Sequence, residues 1–197
     1  LAAGETLTLM LYAQGLDGVD ETLPPAEFPL QVMRQQLSLT VQSLLPAEAG
    51  EKMVLTGSLE TRDLAEAEAV EKSLRASQDN QTLPVRWEHD KAGFRHGFTV
   101  SGIRRGDQAS QVTLSWDGSP LGVENQGERH YNVPAVAAFE VTNVRAVNYP
   151  KPHVEVNFSE ALQGSQNLNG LVTLNGKAPR LEAVSYTHLT LPTKRRV

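Results

Sequence analysis

Residues 36–44 read QLSLTVQSL, and their alternation decides the fold class. Leu37, Leu39 and Val41 fall on one side of an extended chain, and Ser38, Thr40 and Gln42 on the other. A period of two is the mark of a half-buried strand. The same period recurs downstream. Met53–Leu59 (MVLTGSL) turns Met53, Leu55 and Leu59 inward, and Gly57 marks a bulge or a close approach. Leu83–His89 (LPVRWEH), His96–Ile103 (HGFTVSGI) and Gln111–Trp116 (QVTLSW) follow, and Arg129–Val133 (RHYNV) ends at Pro134. Upstream lie Thr6–Tyr12 (TLTLMLY) and Phe28–Met33 (FPLQVM). Pro29 lacks an N–H and places the second of these at a sheet edge.

One segment breaks the period. Asp63–Ala76 (DLAEAEAVEKSLRA) spaces Leu64, Ala67, Val70 and Leu74 as a helix does. Asp63 suits the N-cap, with Glu66 completing a capping-box pattern. Glu68–Lys72 and Glu71–Arg75 are pairs four residues apart in the favourable order. After Ala135–Ala138, read as a linker, Phe139–Val147, His153–Ser159 and Leu168–Asn175 give three further strands. Pro120–Val123 (PLGV) is open to beginning a short return.

About ten strands with turn signals between them, and no β–α alternation, predict an all-β chain. The predicted architecture is tandem Ig-like antiparallel β-sandwiches with one inserted helix at 63–76. Residues 1–34 read as the last strands of a preceding sandwich. Residues 35–134 read as a complete one, and 139–183 as the start of a third. The chain opens on Leu1 and shows no charged-then-apolar leader, so it is expected to be a fragment. Val184–Val197 (VSYTHLTLPTKRRV) resembles a translated sequencing-adapter tail and is expected to be non-native.

The chain has 197 residues, of which 40% are hydrophobic, too many for a disordered tail. Its formal charge is −5, which argues against a dedicated nucleic-acid binder. Val184–Val197 hold three bases and no acid, so the body alone carries 15 bases, 23 acids and a charge of −8. The absence of cysteine excludes disulfides, Cys-ligated metal and thiol catalysis.

Few residues point to chemistry. His89 and His96 flank a hairpin turn near Glu88 and Asp90, a pattern open to zinc but more commonly two solvated hairpin ends. His130, His153 and His188 stand apart. Glu66, Glu68 and Glu71 read as a solvated helix face. Trp87, Trp116, Tyr12, Tyr131 and Tyr149 offer a sugar-stacking platform, but the two indoles are in phase with core residues. Arg104 and Arg105 follow a strand and suit an anion or, in an acidic protein, a salt bridge. No G-x-S-x-G elbow or phosphate-binding glycine motif occurs. No catalytic, cofactor-binding or metal residue is assigned, no cofactor is implied, and the chain is not expected to be an enzyme.

A set of phrases carries a resemblance. They are Glu27–Met33 (EFPLQVM), Leu37–Val41, Thr56–Asp63 (TGSLETRD), the helix with Val70, Glu71 and Leu74, Leu83–His89 and His96–Arg105 (HGFTVSGIRR). Val112–Gly122 (VTLSWDGSPLG), Tyr131–Phe139 (YNVPAVAAF) and Val154–Asn175 (VEVNFSEALQGSQNLNGLVTLN) complete it. In this order they resemble the N-terminal macroglobulin-like domains of the bacterial alpha-2-macroglobulin family. The resemblance implies a periplasmic or cell-surface protease inhibitor that traps proteases after cleavage of a bait segment. It implies that this piece is non-catalytic scaffold, because the family's Cys–Gln thioester needs a cysteine. The implied partners are other domains of the same parent chain and the trapped proteases. Contact with a membrane would come only through an anchor outside the fragment. Two other readings remain open: a carbohydrate-binding or adhesin module, which needs an exposed strip with Trp87 or Trp116, and an accessory domain of a secreted hydrolase, which needs His89, His96 and acids to converge.

Overall fold

The computed structural model describes residues 4–47, 50–148, 150–162, 167, 170, 172–173 and 175–177. Its regular structure is β apart from one short helix and one 3-10 turn, as the alternation predicts. Two antiparallel sheets of four strands dominate. The first holds β3 (Leu37–Pro46), β4 (Lys52–Thr61), β8 (Arg95–Arg104) and β7 (Val85–His89), in that spatial order. The second holds β10 (Gln126–Val133), β9 (Ser110–Asp117), β5 (Leu74–Gln78) and β6 (Gln81–Leu83). Two hairpins lie outside these sheets: β1 (Thr6–Leu11) with β2 (Ala26–Gln31), and β11 (Val141–Val147) with β12 (His153–Phe158).

The core lies between the four-stranded sheets. Leu44, Met53, Leu55, Phe98, Val100 and Ile103 come from the first, and Leu74, Ala76, Leu83, Val112, Leu114 and Val133 from the second. Leu37, Leu59 and Val70 form a second cluster, with the helix contributing Val70. Burial of this apolar surface is the main force holding the two sheets face to face.

Two bulges bend the alternation. Val41 pairs with Gly57 and Ser43 with Thr56, so Gln42 is an extra residue in β3. The inward phase therefore shifts from odd to even, and Leu44 is buried. In β8, Val100 pairs with Leu55 and Ile103 with Met53, so β8 has one residue more than β4 across this gap. Gly102 takes a φ of +79° there, a conformation glycine adopts without strain. Gly57 is the close approach that the sequence suggests, since a Cβ there would stand 2.2 Å from Phe98 Cζ and 2.6 Å from the Thr40 carbonyl oxygen.

The helix is shorter than predicted. It spans Ala67–Lys72 (α1), not 63–76, and Glu66 rather than Asp63 is its N-cap, without a side-chain capping bond. Asp63 Oδ1 accepts from the Leu64 amide instead, and Leu64 is exposed. The Ser73 hydroxyl donates to the Val70 carbonyl at 2.7 Å and closes the helix. Leu74 and Ala76 then pair with Trp116 and Leu114 of β9, so strand pairing overrides helical spacing. Lys72 meets Glu68 at 2.6 Å as expected, but Arg75 now lies in β5 and Glu71 turns elsewhere.

Leu83–His89 is not one strand. Pro84, which has no N–H to give to a ladder, separates β6 in one sheet from β7 in the other. Ser119–Leu121 is a 3-10 turn rather than the beginning of a return strand. Part of Leu168–Asn175 and all of Val184–Val197, with His188, lie outside the described residues, as does Tyr149.

In the β1–β2 hairpin, Leu7 faces Leu30, Leu9 faces Phe28 and Leu11 faces Ala26. Leu9, Leu11, Phe28 and Leu30 remain exposed, an apolar face that no described residue covers. No helix among the described residues is long and apolar enough to cross a membrane.

Candidate functional site

Among the described residues, the most connected polar side chain is that of Arg105, directly after β8. The bulge at Gly102 shifts the phase of β8, so Ile103 and Arg105 point inward and Arg104 is exposed. The Arg105 side chain is fully buried. Its Nε donates to the Pro134 carbonyl at 3.1 Å. Nη1 donates to the carbonyls of Gly50 at 2.9 Å and Ser159 at 3.1 Å, and to a Glu160 carboxylate oxygen. Nη2 donates to Ala135 at 2.7 Å, Val136 at 3.3 Å and Ala138 at 3.1 Å. A guanidinium has five N–H groups in a planar fork. Here seven acceptors share them, and Glu160 supplies the opposite charge. An unpaired buried cation would be costly. The salt bridge expected for Arg104–Arg105 is thus made by Arg105, while the anion it was open to is the protein's own Glu160.

The acceptors come from three segments: the turn between β3 and β4, residues 134–138, and the end of β12. Further bonds join the same segments. The Ser159 hydroxyl donates to the Ala138 carbonyl at 2.8 Å and accepts from the Glu140 amide at 2.9 Å. The Thr142 hydroxyl donates to the Leu44 carbonyl and the Asn143 amide group to the Gln42 carbonyl, both at 2.6 Å. Gln42 is the bulged residue of β3. Side chains of β11 thereby occupy acceptors of an edge strand that would otherwise be open.

The histidine pair converges more than two hairpin ends would. His89 and His96 sit directly opposite each other on β7 and β8, with their Nδ1 atoms 2.8 Å apart. His96 is buried, and its Nε2 has no hydrogen-bond partner. Glu71 is exposed, as expected, and reaches His89 Nε2 at 3.2 Å. The tautomers that satisfy both contacts are an Nε2–H on His89, donated to Glu71, and an Nδ1–H on His96, donated to His89. Burial lowers the His96 pKa, and the neighbouring His89 lowers it further, against Asp90 and the Gly93 main chain. Asp90 is engaged by the amides of Phe94 at 3.0 Å and Arg95 at 3.2 Å. The two imidazoles spend their facing nitrogens on each other, and Glu71 meets the far side of His89. No group of three or more His, Cys, Asp or Glu among the described residues is arranged to hold a metal ion.

Among the described residues, the candidate aromatics do not form a strip. Trp87 and Trp116 are half-buried and pack against both core clusters. Trp116 donates its indole N–H to Asn125 at 3.1 Å, and Arg129 stacks 5.7 Å from its ring centre. Tyr131 packs on the main core, while Tyr12 is exposed on the first hairpin. His130 and His153 remain separate, on β10 and β12, and His153 pairs with Glu155 at 3.3 Å.

Comparison of the chain with family models, curated proteins and solved structures finds no match.

Proposed function

We propose that this chain is a non-catalytic scaffold segment of a bacterial alpha-2-macroglobulin-like protease trap. In this reading it acts at the periplasmic or cell-surface side. Its partners are the other domains of its parent chain and, through the whole protein, the proteases that are trapped.

The observation that carries the reading is a convergence of the phrases behind the resemblance. HGFTVSGIRR ends on Arg105. YNVPAVAAF supplies the carbonyls of Pro134, Ala135, Val136 and Ala138. VEVNFSE supplies Ser159 and Glu160. Three separated phrases thus meet at one guanidinium, which is what a shared structural joint requires of its sequence. A serial arrangement of β units suits a chain whose task is to hold domains at fixed separations. Fold alone does not choose this function, and the phrases add the reason.

The carbohydrate-binding reading asked for an exposed strip containing Trp87 or Trp116, and both indoles lean on the core instead. The test of the scaffold reading is the uninterrupted parent reading frame. The expected frame is very long, with further β-sandwich segments and a Cys-Leu-Glu-Gln-like segment far downstream. A parent that ends near residue 197, or that joins this piece to a catalytic domain, overturns it.

A further inference from the structure

Ala135–Ala138 read as a linker in the sequence, yet many of the polar groups from Pro134 to Glu140 have partners within the chain. Pro134, Ala135, Val136 and Ala138 all give their carbonyls to Arg105. The Val136 amide donates to Gly106 at 2.9 Å and the Ala138 amide to Ala135 at 3.0 Å. The Glu140 carbonyl accepts from the Ser159 amide at 2.8 Å, and its carboxylate accepts from Asn132 at 3.2 Å. The Arg105 main-chain amide donates to the Glu51 carbonyl at 3.0 Å, fixing the same residue to the β3–β4 turn.

We infer that Arg105 is a clasp that turns this linker into a locked joint. The β11–β12 hairpin is then carried as a fixed extension of the two-sheet sandwich and does not swing on a hinge. The inference goes beyond the scaffold proposal and stands or falls without it, because it concerns only contacts within this chain.

The physical reason lies in the accounting of donors. Without the guanidinium, four linker carbonyls, those of Gly50 and Ser159, and the Glu160 carboxylate lose their common donor. The contacts to the Pro134 and Ser159 carbonyls are buried, and buried acceptors left without partners must turn to water, which here means opening the joint. Lysine keeps the charge but offers three donors from one nitrogen, so it cannot span acceptors on three segments. Thr142 and Asn143 also bond to β3, and the clasp acts beside those contacts.

Amide hydrogen exchange on the whole chain tests this, comparing wild type with Arg105→Met, Arg105→Lys and Glu160→Gln. The reporters are the amides of Val136, Ala138 and Ser159 and those of β11 and β12. Amides of β5 and β9 serve as the reference. In wild type the reporter amides of Val136 and Ser159 are expected to be protected. In Arg105→Met their exchange is expected to rise about tenfold or more while β5 and β9 keep their protection. Arg105→Lys is expected to resemble Arg105→Met, and Glu160→Gln to show a smaller rise in the same amides. Free exchange at Val136 and Ser159 in wild type overturns the clasp, and so does unchanged protection in Arg105→Met. If the Arg105 variants fail to fold, Glu160→Gln decides: a rise confined to residues 134–160 supports the clasp, and no rise overturns it.

Discussion

His89 and His96 face each other across β7 and β8 with their Nδ1 atoms 2.8 Å apart, a distance that accommodates one bridging proton and not two. His96 is buried at this contact and stays neutral more readily than a histidine in water. His153 behaves oppositely, because the Lys151 carbonyl and then Glu155 hold its proton and raise its pKa.

The expected pH dependence follows from those directions. In a histidine-resolved NMR titration, His96 is expected to titrate below the ordinary value of 6.5 and His153 above it. A folded-state pKa below the unfolded one means that the unfolded chain takes the proton first. The His96 contribution to stability is therefore complete above 6.5 and is lost as the pH falls toward the folded value. Urea midpoints measured across this window are expected to fall with acid, and His96→Leu is expected to flatten that slope. An unchanged slope would show that the pair does not govern it.

Gly57 leaves no room for a side chain. In Gly57→Ala the new methyl group meets Phe98 Cζ at 2.2 Å and the Thr40 carbonyl oxygen at 2.6 Å. Overpacking of this kind costs about 1–3 kcal/mol, read from the denaturant midpoint. Adding Phe98→Leu is expected to recover part of the loss and not all, because the Thr40 main chain stays in place.

The turn joining β5 to β6 carries two residues in the left-handed region, Asp79 at φ 50° and Asn80 at φ 62°. This is the geometry of a type I′ hairpin turn, which favours Asn and Gly. Asn80→Gly is expected to match or exceed wild-type stability. Asn80→Val is expected to lose about 1–2 kcal/mol, since a β-branched residue is strained there. Equal stability of the two variants would argue against the turn type.

Burial predicts opposite outcomes for two leucines. Leu114 is 0% exposed between the sheets, and Leu114→Ala is expected to cost about 2–5 kcal/mol. Leu9 is 51% exposed on the first hairpin, and Leu9→Ser is expected to change stability by less than about 0.5 kcal/mol. A large loss at Leu9 would show that its apolar face is covered in solution.

Much of the fold was legible in the alternation. Leu37, Leu55, Phe98, Val112 and Leu114 were placed inside by their phase, and all are buried. The all-β class followed from the same reading. The errors arose where tertiary pairing outweighed a local signal. Leu74 satisfies helical spacing from Leu64, yet the ladder to Trp116 of β9 draws it into a strand. Leu83–His89 keeps its phase across Pro84, and nothing in that phase shows the change of sheet.

The candidate site was less legible, for one physical reason. Alternation is a rule about one unbroken ladder, and a single extra residue reverses it. Extended from Phe98 and Val100, the alternation places Arg104 inward and Arg105 in solvent. The bulge at Gly102 exchanges the two, and Arg105 becomes the clasp. The bulge at Gln42 likewise turns Leu44 inward and leaves the Gln42 carbonyl for Asn143. By itself the sequence determined that the chain is built of strands and which residues could fill a core, because both depend on local periodicity. Only the tertiary structure decided which of two adjacent arginines is buried, because that depends on register between strands distant in the chain.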